Sequence, residues 1–276
     1  MSRVIVQLSD LHLPGEGDLF GHIDTAARLT AALDLLVRSR WRPELLLVTG
    51  DLADHGAAES YRRVRPLLDG AAATLGARLL CIPGNHDGVE NFERGMLDRE
   101  PSGAALDQVV RLGGLRVLAL DSTSRGGHHG SLEDEQLSAL AAELAEPAPE
   151  GTLLALHHPP VPSPLGAMRG IVLRDPERLA AVVSGSDVRM ILCGHCHHVG
   201  AAQFAGVPVW MAPAVAYTLD NLAGTTQVRG VAEGGLTLLQ VHEDTIVATH
   251  RPFTTTHDEY VIDSELSDEL AKYPGD

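Results

Sequence analysis

Five short polar motifs sit at the ends of apolar runs: Asp10-Leu11-His12, Gly50-Asp51-Leu52-Ala53-Asp54, Gly84-Asn85-His86-Asp87, His157-His158 and Gly194-His195-Cys196-His197. They hold carboxylate oxygens, an amide oxygen and imidazole nitrogens, the donors that divalent and trivalent cations take. Singly, each has an ordinary explanation. Asp-x-His serves as a turn or a cap. Gly-Asn-His-Asp serves as a turn, since Gly and Asn tolerate positive φ. His157-His158-Pro159-Pro160 can simply end a strand, and Gly-His-x-His is a somewhat better metal signal. In series, each behind a strand-like run, they compose a site for two cations and metal-assisted phosphoester hydrolysis.

The residue types suggest roles. A two-cation site needs a bridging carboxylate, and Asp51 is the natural candidate, with Gly50 allowing a sharp turn before it. Asp10 and His12 alternate along what reads as an extended segment, which would point both to one side. His195 and His197 repeat that spacing, with Cys196 and His198 facing away. Asn85 offers a neutral amide oxygen. His86 directly follows it and is the candidate catalytic residue, either bonding a phosphoryl oxygen or protonating the leaving alkoxide. Asp54 and Asp87 are candidates to orient ligand imidazoles from behind. His128-His129 reads as a loop with room for an indirect contact. His55, His242, His250 and His257 read as surface residues, and His22 is undecided. A structural zinc module on Cys193 and Cys196 is a weaker reading.

The elements that must position these motifs are an alternation of strands and helices. Strands are expected over 3–8, 45–49, 78–82, 115–121, 152–157 and 188–192, and helices over 25–40, 59–75, 132–145 and 176–183. The short β-branched runs and intervening helical patterns indicate an α/β fold with buried strands. In an open α/β sheet the carboxyl ends of the strands form the functional crevice, so all five motif loops converge at one edge. Beyond Gly194 short strands over 203–204, 207–211, 236–241 and 245–250 suggest a second sheet packed on the first. The Gly-rich segment 13–25 reads as an access loop, and the Gly/Thr-rich segment 219–235 as a mobile one. Residues 1–257 are expected to form one catalytic domain, and 258–276 an acidic tail.

Composition narrows the function classes. The 276 residues carry 21 basic and 37 acidic side chains, a net charge of −16. Such a surface repels nucleic-acid backbones, so no nucleic-acid polymer is expected as partner. Three cysteines are too few for a disulfide scaffold; Cys81 and Cys193 sit in apolar runs and read as core thiols, and the odd number fits a reducing compartment. No apolar run reaches the length of a membrane span. The N-terminus enters a strand at once with no signal-like segment, so a cytoplasmic location is expected.

The series resembles the calcineurin-like metallophosphoesterase superfamily over about residues 3–250. The stretches Asp18-Leu19-Phe20-Gly21-His22-Ile23-Asp24, Ile82-Pro83-Gly84-Asn85-His86-Asp87 and Leu156-His157-His158-Pro159-Pro160-Val161-Pro162 look like class III cyclic nucleotide phosphodiesterases and their glycerophosphodiesterase relatives. Cys193 to His197, followed by Ala216-Tyr217, is similar to the cyclic nucleotide branch. The resemblance implies a four-layer α-β-β-α sandwich of two packed mixed sheets. One cation would take Asp10, His12, Asp51 and His197, and the other Asp51, Asn85, His157 and His195. The metals would be Fe, Mn, Zn or Co, which imidazole and carboxylate do not distinguish. The implied activity is attack of a metal-bridging hydroxide on a small phosphodiester, preferably a 3′,5′ or 2′,3′ cyclic nucleotide. Glycerophosphodiesters or other small diesters are the alternative, and a non-catalytic binding scaffold is the reading from another class. A base-stacking aromatic would discriminate, and sequence alone places none. Relatives of this type form homo-oligomers, so a homodimer is expected.

Overall fold

The computed structural model describes residues 2–124, 126–222 and 228–253. The tail 258–276, His257 and the part of the Gly/Thr-rich segment at 223–227 lie outside them. In chain order the elements are β1 (Arg3–Leu8), α1 (Thr25–Arg38), β2 (Leu45–Thr49), α2 (Ala58–Leu75), β3 (Arg78–Ile82), α3 (Val89–Met96), β4 (Gln108–Leu112), β5 (Leu115–Leu120) and α4 (Asp134–Leu144). They continue with β6 (Thr152–Leu156), α5 (Pro176–Val183), β7 (Val188–Cys193), β8 (Gly200–Phe204), β9 (Val207–Met211), β10 (Thr218–Leu219), β11 (Gly230–Val231), β12 (Gly235–Val241) and β13 (Ile246–Pro252).

One sheet runs β13-β12-β1-β2-β3 and the other β4-β5-β6-β7-β9-β8. Each has parallel strands at its centre and antiparallel strands toward an edge. The apolar runs are continuous because both faces of the central strands are covered. Ile5, Leu45 and Leu47 of the first sheet meet Val117, Ala119 and Leu153 of the second in a dry interface. Their neighbours Val6, Leu46 and Val48 point outward onto Leu29, Leu33 and Leu36 of α1 and Val64 and Leu68 of α2. Leu118, Leu154 and Ile191 likewise face Leu137 and Leu140 of α4 and Leu179 and Val183 of α5. The result is the expected α-β-β-α sandwich.

The C-terminal strands do not form a sheet of their own. β8 and β9 extend the second sheet beyond β7, whereas β12 and β13 cross to the first sheet and pair beside β1. Periodicity identifies a strand, but partner choice depends on which sheet edge is free. Helix α1 stops at Arg38, two residues short of the expected end, where Ser39 caps Leu36. Helix α4 starts at Asp134, behind a reciprocal cap between Glu133 and Gln136. Helix α3 and strand β4 were not legible. The first is only 8 residues long with no side-chain cap, and β4 is an alternating edge strand with Val109 exposed.

Candidate metal centre

All five motifs lie in loops at the carboxyl ends of parallel strands. Asp10 and His12 follow β1, Asp51 and Asp54 follow β2, and Asn85 to Asp87 follow β3. His157 and His158 follow β6, and His195 and His197 follow β7. The expectation of extended backbone at Asp-x-His does not hold. Asp10, His12, Asp51, His195 and His197 all have left-handed backbone, with φ of 53°, 45°, 53°, 69° and 51°. Such residues store strain of about 1–3 kcal/mol each and need surroundings that hold them. Here the loops hold one another. Leu11 and His12 donate their N–H groups to the Asp51 carbonyl at 2.8 and 2.9 Å. The His195 N–H lies 3.0 and 3.1 Å from the two Asp10 carboxylate oxygens. Gly50 makes its turn at φ 94°, and a Cβ on Gly84 would stand 2.3 Å from Asp51 Oδ1.

The donors converge in two sets. Asp10, His12, Asp51 and His197 present ligand atoms within 4.8 Å of one another, all buried. Beside them, His157 Nε2 lies 3.3 Å from Asp51 Oδ2, 3.2 Å from Asn85 Oδ1 and 3.2 Å from His195 Nδ1. Asp51 Oδ2 is also 3.5 Å from His12 Nε2, so one oxygen faces both sets. Its other oxygen accepts the His86 N–H at 2.8 Å.

The proton inventory shows that this cluster suits cations. His12 Nδ1 faces Asp54 Oδ1 at 3.3 Å, His157 Nδ1 faces the Thr49 carbonyl at 2.7 Å, and His197 Nδ1 faces the Tyr217 carbonyl at 3.0 Å. These partners only accept, so each Nδ1 carries a proton and Nε2 is the atom each ring turns into the cluster. Yet His12 Nε2 and His197 Nε2 stand 3.0 Å apart, and His157 Nε2 faces two oxygen acceptors. Atoms so placed need a shared positive charge between them, a proton in the metal-free protein or a cation in its place. Nε2 of His195 is buried without a partner, as is Nε2 of His158.

Electrostatics agree. Burial raises the Asp10 carboxyl above its ordinary range, with Asp51 adding to the rise against the pull of His157 and His12. Burial also acts on Asp51, but His157 and His12 outweigh it and hold that carboxyl well below the usual range. Burial pulls His157 down, yet the Asp51 carboxylate overrides it and the ring rises to about 9. Burial and the neighbouring His157 push His195 down to about 3.

Among the expected supporting residues, Asp54 touches the ring of His12, and its carbonyl takes His86 Nδ1 at 2.7 Å. Asp87 acts differently from expectation. Its carboxylate accepts from Leu52, Ala53 and Gly84 N–H and from Tyr61 OH at 2.9–3.1 Å, so it ties two loops together instead of orienting an imidazole. Burial and repulsion from Asp51 raise it to about 6. Cys193 and Cys196 are buried in the apolar cluster against α4 and α5 and join no donor group among the described residues, in contrast to the zinc-module reading.

Sequence reasoning gave several neighbours no definite role. His158 packs its ring 4.6 Å from that of His195 and bonds Ser122 Oγ at 2.9 Å. His128 Nδ1 accepts from the Asn85 amide at 3.1 Å, which turns Asn85 Oδ1 toward His157. Tyr217 lies with its ring 4.3 Å from His197. In the sequence His128 reads as a loop residue with room for an indirect contact, His158 as the second residue of a motif, and Tyr217 enters through a family likeness.

The model of the calcineurin-like phosphoesterase family matches residues 3–199. The chain is 46% identical over 248 residues to a cAMP/cGMP dual specificity phosphodiesterase of Mycobacterium tuberculosis, covering 88% of this chain and 77% of that protein. It is 30% identical to a glycerophosphodiester phosphodiesterase of Enterobacter lignolyticus, with 78% of each covered. Among solved structures, a dimetal phosphatase from Danio rerio superposes with a TM-score of 0.65 at 14% identity, over 91% of this chain and 96% of that one.

Proposed function

The chain belongs to the calcineurin-like phosphoesterase family, and from that premise we propose that it hydrolyses a cyclic nucleotide, 3′,5′ or 2′,3′, at a dinuclear metal centre. The observation that carries the reading is Asp51 Oδ2, one buried oxygen facing both donor sets. Asp10, His12, Asp51 and His197 would hold one cation, and Asp51, Asn85, His157 and His195 the other. Bound cations supply Lewis acidity toward the phosphoryl oxygens and an activated water nucleophile. The remaining chemistry belongs to the side chains. With Nδ1 of His86 bonded to the Asp54 carbonyl, Nε2 is the atom left to meet the substrate. His86 stands with its ring 4.6 Å from that of His12 and is partly open to solvent, beside the donors and within reach of a bound diester. It delivers a proton to the ribose oxygen as the P–O bond breaks. Asp54 holds the His12 and His86 rings in place together.

The substrate choice is supported by the similarity to the dual specificity phosphodiesterase. The glycerophosphodiesterase likeness keeps small open-chain diesters as the second reading. The same proposal covers the domain limits 1–257, an iron, manganese, zinc or cobalt pair, a cytoplasmic setting and a homodimer. No helix of the described residues is long and apolar enough to cross a membrane. The test is a panel of 3′,5′ and 2′,3′ cyclic nucleotides and glycerophosphodiesters, assayed after reconstitution with each metal. Turnover of glycerophosphodiesters alone would replace the first reading with the second. Light scattering at the 29.3 kDa monomer mass would remove the dimer.

A further inference from the structure

We propose that Phe20, backed by Tyr217, is the platform on which the base of the substrate stacks. This rests on the cyclic-nucleotide reading above. Phe20 sits in the loop that leaves the first motif, and its side chain is 66% exposed. A single exposed apolar residue is ordinary, but this one is also held in left-handed backbone, φ 53°. For a bulky aromatic that conformation is strained, so the turn must impose it. The turn is well built: Gly21 N–H donates to the Asp18 carbonyl at 3.0 Å and Ile23 N–H to the Leu19 carbonyl at 2.9 Å, over a Leu19 side chain only 1% exposed. It lifts the Phe20 ring to 5.8 Å from that of Tyr217, at 58°.

Tyr217 connects this ring to the donor cluster. Its ring lies 4.3 Å from that of His197 and 6.1 Å from that of His12, and its carbonyl takes the His197 Nδ1 proton. An aromatic surface therefore runs from the donors outward in two steps, ending on an open face. A cyclic nucleotide has the matching layout, with one sugar separating its phosphoryl group from a flat base. Stacking tolerates any base because each has a π-face, so the platform accepts adenine and guanine alike. A glycerol diester offers no such face, so the platform separates the two substrate classes.

The test compares adenosine 5′-monophosphate with ribose 5-phosphate, which lacks the base, by calorimetry on the manganese-loaded protein. Wild type is expected to bind the nucleotide about tenfold more tightly. Phe20→Ala should bring that ratio close to one, and Phe20→Trp should restore it. For cyclic 3′,5′-AMP the loss in Phe20→Ala should lie in KM, with kcat little changed. Equal binding of the two phosphates by wild type, or a ratio unchanged in Phe20→Ala, overturns the platform. Failure of the cyclic-nucleotide reading shows separately, as absence of cyclic-nucleotide turnover by the wild type.

Discussion

The two ends of the parallel strands differ in how they treat charge. At the amino ends, buried Arg116 donates through Nη2 to both Asp187 oxygens at 3.0 and 3.1 Å and through Nε to Thr152 Oγ1 at 2.9 Å. Asp187 also accepts from the Ala148 N–H at 2.7 Å. Arg3 joins Glu44 before β2 to Glu150 before β6, across the two sheets. At the carboxyl ends, two carboxylates and four imidazoles crowd together with their ligand atoms facing one another, five of the six residues on backbone with positive φ. Of five buried side-chain atoms without a partner among the described residues, three are histidine Nε2 atoms at or next to the motifs. One pole neutralises its charges internally and contributes stability. The other leaves its donors for something that is not polypeptide. Stability and chemistry are thus drawn from opposite edges of the same strands.

Substitutions at each pole can break or sharpen that contrast. The largest effect is expected at Asp51, because one carboxylate serves both donor sets. Asp51→Ala should reduce phosphodiesterase activity to background and bring metal content, measured by elemental analysis, below one ion per chain. A variant retaining two ions and activity would end the bridging assignment.

The next effect is chemical. If His86 is a general acid, His86→Ala should lose about 10²–10⁴-fold on a cyclic nucleotide and much less on a nitrophenyl diester, whose leaving group needs no proton. Equal losses on the two substrates at unchanged metal content would leave His86 only an electrostatic role.

The opposite pole should behave in reverse. Arg116→Ala leaves Asp187 without its charge partner and should cost about 3–5 kcal/mol of stability in urea unfolding, as removal of one member of a buried pair does. The kcat of the protein that remains folded should be unchanged. A fall in kcat with normal stability would mean that the two poles are not separable.

The smallest effect is a pH dependence. In the metal-free protein burial lowers His157 but Asp51 raises it further, to about 9 from 6.5. At pH 7 a cation must therefore displace a proton from this ring. Metal affinity should rise about tenfold per pH unit until about pH 9 and then level, in chelator competition. The same shift stabilises the metal-free fold fully below pH 6.5, and that contribution is lost as pH rises through about 9. A flat affinity profile between pH 7 and 9 would show that His157 is already neutral.

Much of this is legible in the sequence. Continuous apolar runs such as Leu45–Thr49 can only be buried strands in this context, and a polar motif behind each run places it at a carboxyl edge. Donor types named the chemistry, since Asp, Asn and His at those edges have few other common uses. Helix limits were readable where a proline opens the first turn, as at Pro176–Val183. These features depend on a residue and its near neighbours in the chain, and local spacing carries them.

Other features depend on what meets across the molecule. Only the tertiary structure assigned β8 and β9 to one sheet and β12 and β13 to the other, because strand pairing is decided by which edge remains open. Only it revealed the left-handed backbone of Asp10 and His195, which is held by hydrogen bonds between loops 185 residues apart in sequence. Asp87 reads as a helper of imidazoles and turns out to tie Leu52, Ala53 and Gly84, because its carboxylate reaches those N–H groups first. Phe20 and Tyr217 are nearly two hundred residues apart and became one surface only on folding. By itself the sequence determined which donors exist and which strand end each one leaves. Their facing atoms, their protonation and the aromatic rim beside them are long-range properties, set by contacts that no local pattern encodes.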